Sequence, residues 1–149
     1  MTGEYNNLDV AENKITFLLD SGASDHNINK DNLFSNFVNL PIPIKISVAK
    51  HGEFISATKK GTLHVTSNMG VRGTLEDVLF CPEAPYNLLS VSKLQRAGTT
   101  VIFDQQGTQI CKDGKTIMRG KSIHNLIAID FKPLPALTLY EMRQNMGLQ

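Results

Sequence analysis

A largely apolar run, Ile15-Thr16-Phe17-Leu18-Leu19, ends on Asp20-Ser21-Gly22 and continues as Ala23-Ser24-Asp25-His26. A short apolar run closed by turn-forming residues reads as a buried strand. An acid therefore sits at the end of such a strand. A carboxylate in that position is costly unless something shares or neutralises its charge. Gly22 permits a sharp turn and the close approach of another backbone. The tripeptide taken alone also fits an ordinary turn, in which the acid caps and the glycine supplies positive φ.

Strand signals dominate the rest of the chain. Ile42, Ile44, Ile46 and Val48 alternate with Pro43, Lys45 and Ser47, the period of a half-buried strand. Phe54 to Ala57 follows Lys50-His51-Gly52-Glu53, which predicts a hairpin with its tip near Gly52. Thr62–Thr66 and Val71–Phe80 form a second pair around Asn68-Met69-Gly70, and Asp113-Gly114 joins Thr108–Lys112 to Lys115–Met118. Val101–Phe103 and Ile123–Phe131 read as further strands. One helix is predicted from Leu88, Leu89, Val91, Leu94 and Ala97, with Asn87 as N-cap and Gly98 as the stop. The expectation is an all-β domain over 12–131 with one short helix, a polar arm or linker over 1–11 and a tail over 132–149.

Composition narrows the function classes. The 149 residues are enough for one domain with a real core, and hydrophobic content is an ordinary 41%. A formal net charge of +1 lacks the basic excess of a dedicated nucleic-acid surface. Two cysteines, Cys81 and Cys111, are too few for a disulfide framework and read as free thiols of a reducing compartment. No signal-peptide pattern and no membrane-length apolar run is present, so the expected location is cytoplasmic, with no membrane partner.

The string around LLDSGASDH, from Phe17 to His26, resembles the active-site strand and turn of copia-type retrotransposon proteases, within the retroviral-type aspartic proteases. VAKHGEFISATKKG (48–61), LEDVLFCPEAPYNLLSV (75–91) and SKLQRAG (92–98) are similar to the same class of element, in the same order. The resemblance implies a closed, barrel-like β fold with a flap hairpin and a symmetric homodimer; the C-terminal hairpin around Asp113-Gly114 is extra, in a segment that minimal retroviral proteases lack. It also implies an aspartic endopeptidase that cleaves its own Gag-Pol-type polyprotein, inside virus-like particles in the cytoplasm. Two-motif relatives form their acid pair within one chain. This chain has a single motif, so the pair needs Asp20 from each of two subunits. The catalytic set implied is Asp20, Ser21 and Gly22, with Ser21 bonding across the dimer. Ala23, Ser24, Asp25, His51, Gly52, Phe54 and Pro85 are the implied substrate contacts. No metal, cofactor or nucleic acid is implied, and no His or Cys pair near Leu139-Tyr140-Glu141 suggests zinc.

The chain also departs from the retroviral pattern. Ser24 stands where those enzymes have an acid, and Pro85-Tyr86 stands where they have the glycine and arginine that support it. Losing both partners leaves no unpaired buried charge. Support for the dimer is then expected from apolar strand contacts, Val101, Ile102 and Phe103 among them. His26, His64 and His124 lack ligand spacing and read as surface or core-edge residues. A second reading keeps the fold without turnover: a host-adopted or inactive copy acting in protein–protein interaction.

Overall fold

The structure, a computed structural model, describes residues 14–47 and 52–134. In chain order these form β1 (Ile15–Asp20), β2 (Asn27–Ile28), a 3-10 turn (Asp31–Leu33), β3 (Asn36–Ser47), β4 (Phe54–Ser67), β5 (Arg72–Phe80) and β6 (Asn87–Ser90). The helix α1 (Val91–Arg96) follows, then β7 (Thr100–Asp104), β8 (Gly107–Lys112), β9 (Lys115–Ile123) and β10 (Leu126–Pro133).

The strands make one sheet in the order β3-β4-β5-β2-β6-β1-β10-β9-β8-β7, and an added β4–β10 pairing bends its middle into a closed ring. β1 lies inside that ring, parallel to β6 and antiparallel to β10. This is the all-β, barrel-like architecture expected from the sequence. The β8–β9 extension leaves the ring through β10, and β3 leaves it through β4.

Alternation explains the core. Ile15 and Phe17 point inward from β1, Leu63 and Val65 from β4, and Ile129 and Phe131 from β10, all at most 5% exposed. Phe17 and Phe131 meet edge-to-face with ring centres 5.5 Å apart. Burying one such side chain contributes about 1.5–3 kcal/mol, and the aromatic geometry adds to it. A second, smaller cluster of Ala57, Leu79, Cys81 and Ala84 lies under the β3–β4 hairpin.

Three local expectations need correction. First, β3 begins at Asn36, and Ile42 is 78% exposed where a half-buried position was expected. The reason is Leu40-Pro41-Ile42-Pro43, which bulges between the Asn39↔Lys59 and Ile44↔Ala57 pairs. Proline cannot donate to a ladder, and an edge strand tolerates it. Second, the helix starts at Val91 with Ser90 as N-cap; Leu88 and Leu89 belong to β6. Leu89 is fully buried between neighbouring strands, and that burial outweighs local helix propensity. Third, Ile123 closes β9 rather than opening the last strand. His124 and Asn125 both take positive φ in the turn before β10. The expected hairpin tip falls partly at 48–51, outside the described residues; Gly52 follows it, and Ser47 pairs with Phe54 at its base.

Candidate active site

Asp20 is the last residue of β1, level with Ser90 in the parallel β1–β6 register. It is half-buried, and its Oδ1 accepts a hydrogen bond from the Gly22 amide at 2.8 Å. Ser21, Gly22 and Ser24 are exposed, while Ala23 and Asp25 are half-buried. Ser24 donates from Oγ to Asp25 Oδ2 at 3.3 Å. The chain thus turns at the open end of a core strand and presents a run of exposed backbone beside a carboxylate.

Among the described residues nothing requires glycine at position 22. Gly22 is not among the residues with positive φ, and a Cβ there would meet only Asp20 Oδ1, at 3.4 Å. The space above it is open. Sequence reasoning assigned Gly22 both a sharp turn and a close approach from outside; the chain does turn at Ser21-Gly22, with a φ that does not demand glycine.

The far side of the loop is fastened to β6 and α1. Ser90, fully buried, donates from Oγ to the Ala23 carbonyl at 2.7 Å, and its amide donates to His26 Nδ1 at 2.9 Å. The same Oγ accepts from the Lys93 amide at 3.1 Å as the cap of α1. His26 is buried, not a surface or core-edge residue, and its carbonyl accepts from the Leu79 amide. Burial first, then the charges of Lys93 and Arg96, lower its pKa to about 3. It is therefore neutral, with its ring proton on Nε2. Asn87, expected as a helix cap, instead accepts from the Asn29 amide and donates to the Thr16 carbonyl, tying β6 to β1 and to the segment after β2.

Two cavities flank this assembly. One, of about 490 Å³, opens beside the loop between Asp25, Ile44, Lys60, Asp77, Lys93 and Arg96. The other, of about 350 Å³, is walled mainly by Val65, Leu75, Leu94, Met118 and Phe131, with His26 and Lys93 at its edge. Lys93 reaches from α1 to the carbonyls of Glu76 and Asp77, and burial lowers its pKa. Lys60 pairs with Asp77 at 3.6 Å.

Of the implied substrate contacts, Asp25 lines the wider cleft with Ile44 of the long hairpin. Gly52 and Phe54 are exposed at the far end of that hairpin, and Pro85 is exposed in the bend before β6; none of the three lines either cavity. His51 lies outside the described residues. Among the described residues no group of three or more His, Cys, Asp or Glu side chains is placed to hold a metal ion.

Residues 17–99 match the family model of the Pol polyprotein β-barrel domain. The chain belongs to that family. It is therefore a domain of a retroelement Pol polyprotein. The matched stretch of the Pol β-barrel domain runs from Phe17 in β1 to just past α1, and includes the Asp20 loop, the long hairpin and Ser90. Strands β7 to β10 lie beyond it.

Sequence reasoning missed His26, Ser90, Lys93 and Arg96. Ser90 carried one usable signal, a serine directly before a helical stretch. Its bonds to Ala23 and His26 join residues 67 and 64 positions apart, and no local pattern announces them.

Proposed function

We propose that this Pol β-barrel domain is the element's protease, an aspartic endopeptidase of the copia type that works as a homodimer. The observation that carries this reading is a carboxylate at the open end of a core strand, followed by an exposed loop with free space over Gly22. One such acid is half of a catalytic pair, and the second comes from a second copy of the chain. Two Asp20 carboxylates brought together share one proton, because both cannot ionise cheaply at close range. A water held between them attacks the scissile carbonyl. The charged Asp20 takes its proton, while the protonated Asp20 polarises the carbonyl oxygen; the amine then leaves carrying a proton.

The open space at Gly22 fits the approach of a partner loop or of substrate backbone. Ser21, exposed beside it, is free to bond across the two-fold axis. The edge strand β7 offers Ile102 and Phe103, 40% and 60% exposed, as apolar contacts for the partner. Val101 is half-buried and packs on the core, so it is not part of that surface. The substrate is the element's own polyprotein, cut within the particles it forms.

Asp20→Asn tests the assignment. Asn keeps the shape and cannot share the proton, so cleavage of a long apolar peptide should disappear while the fold remains. Turnover near the parental rate in this variant sinks the reading.

A further inference from the structure

We propose, on the basis of the protease reading above, that Ser90 and His26 are positioning residues that clasp the Asp20 loop from behind and hold it in working geometry. The loop has little to hold itself. Its internal side-chain bonds are Gly22 N–H to Asp20 and Ser24 Oγ to Asp25, both near its surface. Among the described residues its firm side-chain ties to the rest of the fold converge on one residue: Ser90 Oγ grips the Ala23 carbonyl, and the Ser90 amide grips His26 at the loop's end. Arg96 reaches the Ser24 carbonyl only at 3.5 Å.

The geometry makes this clasp an extension of β1–β6 pairing. Ser90 stands level with Asp20, so the strand that carries the acid and the strand that carries the clasp are in register. Ser90 is also fully used. Its hydroxyl has one proton, given to Ala23, and it accepts from the Lys93 amide and from the Ser92 hydroxyl, which links the loop to the first turn of α1. Alanine at 90 removes all three bonds at once.

His26 contributes as an acceptor. An imidazolium in its place would turn an N–H toward the Ser90 N–H and open the clasp. The aspartic mechanism needs a protonated carboxyl and so runs on the acid side of neutrality, where an ordinary histidine gains a proton. Burial, with Lys93 and Arg96 beside it, keeps His26 neutral there. Arg72, Glu76 and Asp77 of β5 and Lys112 of β8 line the same cavity as His26, so acids as well as bases border that space.

The test compares kcat, KM, melting temperature and solution mass for Ser90→Ala, His26→Leu and His26→Asn in the full chain. Asparagine places Oδ1 where Nδ1 accepts; leucine has no acceptor. Ser90→Ala and His26→Leu should lower kcat by about 10- to 100-fold, the scale of a small misplacement of catalytic groups, with KM within about threefold. His26→Asn should recover kcat to within about threefold. Parental kcat in His26→Leu overturns the clasp, as does a loss that follows the unfolded fraction and is equal in His26→Asn. Imidazole nitrogen spectra give a readout free of activity: His26 should keep an unprotonated Nδ1 at pH 5, and an imidazolium there overturns the proposal. Turnover surviving in Asp20→Asn would instead overturn the protease reading, leaving the clasp to be judged on the spectra.

Discussion

His26 shows how one buried side chain links stability to pH. In the folded chain it stays neutral down to about pH 3, whereas unfolded it binds a proton below its ordinary value of 6.5. Between those values the unfolded state holds the extra proton, so stability rises with pH and is lost on acidification, by at most about 1.4 kcal/mol per pH unit from this group. His26→Asn removes the titration. Urea unfolding at pH 7 and pH 4.5 should show a smaller acid loss in the variant than in the parent; equal losses would mean that His26 is protonated in the fold. Cys81 behaves differently. Burial raises its thiol to about 11, so the nucleophilic thiolate is scarce at neutral pH. A thiol reagent under native conditions should modify the half-buried Cys111 first and reach Cys81 only on unfolding; prompt labelling of Cys81 would contradict its place under the β3–β4 hairpin.

At the scale of elements, the β3–β4 hairpin depends on a contact that only glycine allows. A Cβ on Gly61 would press into the Asn36 carbonyl and lie 2.8 Å from both Phe34 and Phe37. Backbone is among those neighbours, so the strand itself must move. Gly61→Ala should destabilise the chain by about 1–3 kcal/mol, read as a lower denaturation midpoint, and should loosen the start of β3 in hydrogen exchange. An unchanged midpoint would mean that the hairpin packs otherwise. The sequence carried β1, the β4–β5 pair and the Asp113–Gly114 hairpin, because each is a local pattern of alternation and turn chemistry. It carried the Asp20 loop for the same reason. It did not carry β2, β6 or the clasp: Asn27–Ile28 is two residues long, and Asn87–Ser90 becomes a strand only because β1 and β2 lie on either side of it. Leu88 and Leu89 suit a helix face as well as a buried strand, and the fold decides between them. His124-Asn125 turns without the glycine that a two-residue hairpin turn usually signals.

At the scale of the whole molecule, one Asp20 per chain would, on the proposed protease reading, make assembly part of the chemistry. The loop is fastened behind by β6 and α1, yet its front, with Ser21 and Gly22, is exposed among the described residues. Among the described residues β7 likewise ends the sheet as an edge strand bearing Ile102 and Phe103. Both features are open where a second copy would complete them. On the proposed reading an isolated chain would hold half of the catalytic pair and should be inert, so specific activity should not be a constant of the protein. Across a dilution series it should fall in step with the change in solution mass from two chains to one. Mixing parental chains with an excess of Asp20→Asn should depress activity further, because most parental subunits then sit in heterodimers with one carboxylate. Charge substitution at the β7 edge, Phe103→Lys, should shift the midpoint of the dilution curve to higher protein concentration while leaving the fold intact. Constant specific activity over a range in which the mass demonstrably falls to one chain would overturn the shared site, since the catalytic acids would then have to lie within a single subunit.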